Sequence, residues 1–363
     1  MPCIVNKIRG LFAAAVITAM LFGCRLDTPA HDAAVTGDRE ASDHTAVYKG
    51  VTIADNPPDY ESDACMRLSD SLLASGVSSV AITPCGYLDS VNSVNVRWIQ
   101  WSKRDYVAGI RRLKQRGLTV LLKPYLWSKD FWTKRKWTGD IAHSDSSRRK
   151  QFFASYKQFM LDNARFAQEG GADVLCVGLE LPKLANDEYA WRDIIADVRR
   201  VYSGKLTYAA HGLGEARQIK FWDALDIVGI NAYPTLSDEE QATEADLERG
   251  SKAFCSQVGE FWEEHKRPNI VFTEVGFRSV ERAWYSPWEW PEHAPRAVNL
   301  QHQALAYRVF GRVITRQPWF GGVYWWKVFT DEQRPDEGPD GFTPQGKPAW
   351  QELRAMFQRP QAR

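Results

Sequence analysis

The amino-acid sequence predicts an α/β fold, a single (β/α)₈ TIM barrel. Short apolar runs bounded by turn residues alternate with helix-like segments through most of the chain. No glycine-rich GxGxxG segment follows the first run, so the main sequence support for a dinucleotide-binding sheet is missing. The longest predicted loops follow the carboxyl ends of apolar runs, the end at which barrels build active sites. Together these observations favour a closed barrel over an open doubly wound sheet.

The first 23 residues are typical of an export signal. Lys7 and Arg9 precede an apolar stretch, 11–22, that is too short to span a bilayer. The stretch ends in LFGC, which resembles a bacterial lipobox, so we expect Cys24 to be lipidated and to anchor the mature chain to a membrane. Ordinary secretion, with Cys24 as a chance residue, is the alternative.

A polar segment, 24–47, separates this signal from the predicted barrel, 48–359. It is rich in Asp, Thr, Ala and Ser and has no apolar period that could be buried. We therefore expect a disordered tether and a protein of the cell envelope.

Eight apolar runs are predicted to form the strands of the barrel. They are 49–55, 78–87, 118–127, 172–181, 205–211, 224–233, 269–277 and 321–329. The long loops 127–147, 278–295 and 330–346 follow the third, seventh and eighth of these strands.

Helix-like segments lie between the predicted strands. They are 61–75, 103–116, 148–169, 187–202, a short one at 214–222, 240–265 and 295–316, with a last helix at 347–357. Gly76 and Gly117 each stand between a helix and a strand, where a left-handed C-cap is expected.

Charge and cysteine usage exclude several classes of partner. The chain has 46 Lys and Arg against 45 Asp and Glu, and this near neutrality argues against nucleic acid. The cysteines Cys65, Cys85, Cys176 and Cys255 lack metal-ligand spacing, so we expect no structural zinc and no cofactor. A Cys65–Cys85 disulfide and buried thiols both remain open. We expect a monomer.

Two acids stand near the ends of apolar strands. Glu180 lies in CVGLELP on the fourth predicted strand, and Glu274 lies in FTEVGF on the seventh. Those strands face each other across a barrel mouth, and two facing carboxyl groups are what glycosidic cleavage requires. The alternative for either acid is a salt bridge to a lysine at the mouth, such as Lys123 or Lys327.

Aromatic residues are concentrated at the same strand ends and loops, and the chain has 15 tryptophans. Sugar rings stack on aromatic planes, so this pattern suits a glycan cleft. Packing of the loops on the barrel is the alternative for about half of them. The aromatic candidates are Tyr125, Trp127, Trp132, Trp137, Tyr233, Trp284, Trp288, Trp290, Trp325 and Trp326.

Several segments, in order across about 48–350, resemble glycoside hydrolase family 113, whose known members mainly degrade β-mannan. They are YKGVTIAD, LLKPYLW with WTGDIA, VGLELPKL, DIVGINAYPTL, NIVFTEVGFRS, GGVYWWKVFTD and GFTPQGKPAW. The resemblance implies a retaining mechanism with Glu180 as acid/base and Glu274 as nucleophile.

The same resemblance implies roles for residues around these acids. It places Tyr233 where a tyrosine hydrogen-bonds the nucleophile, and Trp326, or else Trp325, where a tryptophan forms the floor of the sugar site. Lys123 and Asn231 match positions that contact sugar hydroxyls. Tyr125 and Trp127 belong to the same predicted glycan-binding surface.

Two residues depart from the family pattern. Leu179 stands where related barrels have Asn, or a small polar residue, before the acid/base, and Tyr125 replaces a histidine. The first change removes a contact to the sugar 2-hydroxyl, and the second alters the glycone pocket. A catalytically weak glycan-binding barrel is therefore an alternative. A metal-dependent hydrolase is less favoured, because only His211 fits as a ligand at a strand end.

Overall fold

The computed structural model describes residues 47–55, 59–99, 105–266, 268–330 and 337–358. The predicted export signal, the lipidation site Cys24 and nearly all of the predicted tether lie outside the described residues. The described residues therefore concern the predicted barrel.

Eight parallel strands form a closed barrel, as the sequence predicts. Their order around the barrel is β1-β11-β10-β9-β8-β7-β5-β2, and β2 pairs with β1 to close it. The strands are β1 (Tyr48–Ile53), β2 (Ser79–Ile82), β3 (Cys85–Leu88), β4 (Arg97–Trp98), β5 (Thr119–Leu122), β6 (Tyr125–Ser128), β7 (Val174–Leu179), β8 (Lys205–His211), β9 (Ile227–Ala232), β10 (Ile270–Val275) and β11 (Phe320–Val328).

Helices follow the strands and cover the outside of the barrel. They are α1 (Asp63–Ala74), α2 (Tyr106–Gln115), α3 (Asp130–Thr133), α4 (Ser146–Gly170), α5 (Glu188–Val201), α6 (Gly212–Ala216), α7 (Glu244–Glu264), α8 (Leu300–Ile314) and α9 (Ala349–Gln358). The predicted helix 214–222 is wrong in its bounds, because it is replaced by α6 and a separate 3₁₀ turn at Trp222–Ala224.

Two predicted strands, 78–87 and 118–127, are each split in the structure. β2 and β5 stay in the barrel, whereas β3 and β6 leave it and pair with β4 in a three-stranded sheet. Each split falls at a proline, Pro84 or Pro124, which has no N–H to donate to a strand ladder. The segment that follows each proline therefore extends the wall above the barrel mouth.

The core has two layers. A cluster made mainly of strand residues fills the barrel interior, and Tyr324 in it bonds Ser79 Oγ at 2.6 Å. A larger cluster lies between the strands and the helices. Members of the inner cluster are Tyr48, Ala81, Leu121, Val174, Cys176, Leu179, Ala209, Ile227, Val271 and Tyr324.

The predicted glycine C-caps are confirmed. Gly76 and Gly117 follow α1 and α2 with φ of 86° and 82°, in the left-handed region that glycine adopts without strain. Ser62 and Asp105 cap the other ends of these helices, since their side chains accept from the N–H groups of Cys65 and Ala108.

The four cysteines of the barrel are buried thiols, and the described residues contain no disulfide between them. Burial raises the pKa of Cys65, Cys85 and Cys255 to about 12, so these thiols stay protonated at neutral pH. Among the described helices, none has the length and apolar character needed to cross a membrane.

Candidate active site

A bulge at the end of β7 aims Glu180 into the barrel mouth. Cys176 pairs with Thr207, but the next paired residue is Leu179, opposite Ala209, so β7 contains one residue more than its partner. Glu180 then adopts φ of 49°, which turns the chain. Gly178 permits the bulge, because a Cβ there would lie 2.4 Å from the Tyr208 ring.

A second irregularity, in β10, places Glu274. Phe272 pairs with Ile230, and Glu274 pairs with Asn231, so the register shifts just before the acid. The carboxyl end of β10 thus presents Glu274 at the same end of the barrel at which β7 presents Glu180.

Two donors hold the carboxyl group of Glu274. Lys123 Nζ lies 2.5 Å from Oε1, and the Tyr233 hydroxyl donates to Oε2 at 2.9 Å. Lys123 is fully buried and also donates to Thr273 O at 3.1 Å. The salt bridge to Lys123 considered from sequence is therefore present, and the predicted Tyr233 contact to Glu274 is present beside it.

Glu180 is held by two different donors. Asn231 Nδ2 donates to Oε1 at 2.9 Å, and His211 Nδ1 lies 3.1 Å from the same oxygen. The side-chain oxygen of Asn231 accepts from the Thr273 hydroxyl at 2.8 Å. Asn231 therefore connects Glu180 to the residue that precedes Glu274.

The two carboxyl groups have pKa values shifted in opposite directions. Burial raises the pKa of Glu274, Lys123 opposes this and the charge of Glu180 adds to it, and the net pKa is above the ordinary value. Burial also acts to raise the pKa of Glu180, but the bonds from His211 and Asn231 and the charge of His211 outweigh it and lower the net pKa. This order is the reverse of the roles that the family resemblance implies, because a nucleophile acts in its ionised form and a general acid in its protonated form.

Trp326 and Trp325 lie in different layers. Trp326 is partly exposed, and its ring centroid lies 5.4 Å from Lys123 Nζ, close to Glu274. Trp325 is 1% exposed and stacks on Tyr307 at 4.2 Å, outside the barrel wall. The structure brings Trp326 to the site and leaves Trp325 in the helix-packing core.

The strand-three aromatics lie on the small sheet. Tyr125 is half-buried and packs on the interior cluster that contains Leu179, while Trp127 stacks on Tyr87 at 5.7 Å. Trp137, from the following loop, lies 4.6 Å from the His211 ring.

The tryptophans after β10 are divided between surface and core. Trp288 and Trp290 are exposed, and Lys327 Nζ lies 5.4 Å from the Trp290 ring. Trp284 is 1% exposed and packs against His302, as expected for loop packing.

Sequence reasoning missed Glu215, which lies in α6 and is 2% exposed. Its Oε1 accepts from the Tyr208 hydroxyl at 2.5 Å and from Leu181 N at 3.0 Å, and its Oε2 accepts from His211 N at 2.6 Å. Burial raises the pKa of Glu215 to about 7. The segment HGLGEA carries no apolar period or motif that would have identified this residue.

The part of the chain that the structure describes contains no group of three or more His, Cys, Asp or Glu residues arranged to hold an ion. His211, the only metal ligand considered from sequence, contacts Glu180 instead.

Comparisons with solved structures agree with this fold. A GH113 β-1,4-mannanase is similar with a TM-score of 0.76 and 23% identity, covering 87% of this chain and 100% of that one. The GH113 β-mannanase of Alicyclobacillus acidocaldarius in complex with ManMIm gives 0.73 and 23%, covering 86% and 97%.

A more distant likeness is the β-glucuronidase of Ruminococcus gnavus in complex with D-glucuronic acid. Its TM-score is 0.55 at 9% identity, covering 86% of this chain and 50% of that one. A comparison with curated protein sequences gives no match.

The sequence model of Glycoside Hydrolase Family 113 matches residues 53–347. This range runs from the end of β1 to the residues just before α9, so it includes both carboxyl groups and the donors around them. The chain belongs to glycoside hydrolase family 113, as the motifs in its sequence predict.

Proposed function

We propose that this glycoside hydrolase cleaves β-linked mannan or a related β-linked glycan with retention of configuration. The observation that carries the proposal is the pair of carboxyl groups, Glu180 and Glu274, each aimed by a strand irregularity at one barrel mouth. The similar solved structures described as β-1,4-mannanases support mannan as the substrate class.

In this mechanism Glu274 is the nucleophile. Its oxygen attacks the anomeric carbon while the glycosidic bond breaks, and a covalent glycosyl-enzyme forms. Lys123 and Tyr233 donate to the ionised carboxylate that makes the attack. Burial removes water from the nucleophile, and Lys123 opposes the rise in the pKa of Glu274 that this burial causes.

Glu180 is the acid/base. It protonates the departing oxygen in the first step and takes a proton from water in the second, when water attacks the same carbon. Trp326 beside Lys123 offers a ring face on which a sugar can stack.

The first experiment is a screen of the barrel domain against manno-, gluco-, xylo- and galacto-oligosaccharides. We expect β-mannosidic cleavage, with the β-anomer formed first when products are followed by NMR. Glu274→Gln should lose turnover by orders of magnitude, while Glu188→Gln, a partly exposed acid at the start of α5 that pairs with Arg192, should retain it. An α-anomer as the first product would contradict retention.

Azide separates the two roles. With an activated β-mannoside, Glu274→Ala plus azide should give the α-mannosyl azide, because azide replaces the nucleophile. Glu180→Ala plus azide should give the β-mannosyl azide, because azide attacks the covalent intermediate. The reverse pattern would exchange the two assignments.

A glycan-binding barrel without turnover is a second candidate, and Leu179 is the observation that favours it. This residue is packed in the interior cluster beside Glu180, where its side chain offers no hydrogen bond to a sugar. Binding of manno-oligosaccharides by calorimetry with no cleavage in the unmodified protein would establish this candidate instead.

We further propose that the chain is exported, anchored by a lipid on Cys24 and monomeric. The support for export and for the anchor is the apolar stretch 11–22 and the LFGC segment, 21–24, at its end. Incorporation of labelled palmitate that is lost in Cys24→Ala tests the anchor, and light scattering of the domain from residue 45 tests the monomer. Retained label in the variant would contradict the lipidation site.

A further inference from the structure

His211 occupies an unexpected position beside the proposed acid/base. It ends β8, and its Nδ1 lies 3.1 Å from Glu180 Oε1. The ring also lies 4.6 Å from Trp137, so it is held between a carboxyl group and an aromatic face. Its side chain is 45% exposed, whereas that of Glu180 is 17% exposed.

One buried carboxyl group fixes the backbone on both sides of this contact. Glu215 accepts the N–H of His211 with one oxygen and the N–H of Leu181, the residue after Glu180, with the other. The ends of β7 and β8 are therefore joined through Glu215. Such a link preserves the distance between Glu180 and His211 when a ligand enters.

The charges around His211 favour its protonated form. Glu180 at the end of β7, Glu215 in α6 and Glu274 in β10 all act on it, and burial opposes them. On the remaining side, the loop that carries Trp137 contains Asp140, which pairs with Lys183 at 2.9 Å. The net effect raises the pKa of His211 above its ordinary value.

The same contact lowers the pKa of Glu180, as described above. A general acid must carry a proton at the moment of bond cleavage, and a carboxyl group with a lowered pKa is poorly protonated near neutral pH when considered alone. The proton that the first step needs is available on the imidazole.

We propose that Glu180 and His211 hold one proton between them and serve as a single acid/base unit, with Glu215 as the positioning residue. The inference rests on the proposed function. In the resting state the proton lies on Nδ1 of an imidazolium that faces the ionised carboxylate. It moves to the carboxyl group when a bound glycan excludes water, because two neutral groups cost less in a dry site than two charges.

The proton that the pair gives up in the first step is recovered in the second. In the first step the proton passes from Glu180 to the glycosidic oxygen as Glu274 attacks, and His211 is left neutral. In the second step water attacks the anomeric carbon, Glu274 leaves, and the proton of that water returns to the pair. No additional donor is required.

The test is the pH dependence of His211→Gln, whose amide can still donate to Glu180 but cannot be protonated. In the unmodified enzyme the alkaline limb of kcat/KM reports loss of the shared proton. In the variant it reports Glu180 alone, so the limb should move to lower pH by about two units, the difference between ordinary imidazole and carboxyl pKa values. A uniform loss across all pH values would indicate a structural role and overturn the proposal.

Leaving groups provide a second readout. From 2,4-dinitrophenyl β-mannobioside the dinitrophenolate leaves without being protonated, so kcat/KM should change less than about threefold in His211→Gln. With phenyl β-mannobioside the leaving oxygen needs a proton, so kcat/KM should fall much more in the same variant at pH 8. Equal losses on both substrates would contradict the shared proton.

A readout without turnover is the NMR titration of His211, assigned by its absence in the variant. Glu180→Gln should lower the pKa of this imidazole, and Glu188→Gln should leave it unchanged. An unshifted titration in Glu180→Gln overturns the pairing. Absence of glycan cleavage in the unmodified protein overturns the proposed function, which this titration does not test.

Discussion

Lys123→Met tests whether the buried lysine keeps Glu274 charged. Lys123 is fully buried, and its ammonium group is the nearest cation to the carboxylate. Methionine fills a similar volume without the charge. The variant therefore leaves a buried carboxylate without its ion pair, a change that costs about 3–5 kcal/mol if the group stays ionised.

The carboxyl group can limit this loss by taking up a proton. The ordinary pKa of Glu274 is 4.5. Protonation at pH 7 then costs about 3 kcal/mol, and at pH 5 less than about 1 kcal/mol, from 1.36 kcal/mol per pH unit. Because the pKa in the unmodified protein is already raised, we expect the two proteins to differ at pH 7 by less than this limit of about 3 kcal/mol.

The raised pKa of Glu274 determines how the stability difference between the two proteins changes with pH. A carboxyl group that folding makes easier to protonate contributes stability that is complete below its unfolded pKa and is lost as the pH rises through its folded pKa. Urea unfolding at pH 5 and pH 7 should therefore show a variant deficit that grows with pH. Lys123→Met/Glu274→Gln, which removes both charges, should abolish that growth. A deficit equal at both pH values would refute the reasoning.

Three further predictions concern single side chains at the site. Tyr233→Phe removes the hydrogen bond to Glu274 and should lower kcat/KM for manno-oligosaccharides by roughly 10- to 100-fold, since a bond to a charged group contributes about 1.5–3 kcal/mol; an unchanged value would contradict this role. Trp325→Ala should reduce the free energy of unfolding by about 3–5 kcal/mol, whereas Trp326→Ala should mainly raise KM; the opposite assignment would show that the two rings are misplaced. Leu179→Asn should raise kcat/KM roughly tenfold by restoring a donor near the sugar 2-hydroxyl, measured beside thermal unfolding, and a decrease without loss of stability would show that leucine is suited to the substrate.

The strand pattern was predictable because apolar runs in a parallel barrel are nearly continuous. The predicted strand 205–211 coincides with β8. The two wrong assignments, 78–87 and 118–127, have a cause visible in the sequence, since Pro84 and Pro124 interrupt them. Apolar character continues past each proline because the emerging strands form another sheet.

The two candidate carboxyl groups were predictable from their positions near strand ends, but the direction in which their side chains point was not. Alternation along a strand cannot locate a bulge, and β7 and β10 both shift register just before the acid. Alternation along β11 distinguishes Trp325 from Trp326. Tyr324 faces the barrel interior, so Trp326, two residues later, lies on the same face and Trp325 on the opposite one.

Glu215 could not be found from its sequence context. Its role depends on backbone N–H groups contributed by Leu181 and His211, which lie in different strand ends. Such a contact arises only when the barrel closes and brings the strand ends together.

The two strand irregularities also separate the proposed catalytic pair from the predicted glycan-binding tryptophans. Glu180 and Glu274 take their positions from hydrogen-bonded strands, while the exposed Trp132 lies in the short helix α3 and the exposed Trp288 and Trp290 lie on the loop after β10. Loops can therefore exchange, lengthen or shorten over generations without disturbing these two carboxyl groups. A descendant of this barrel could acquire a new glycan by loop replacement alone, with its pair of strand-end carboxyl groups inherited intact.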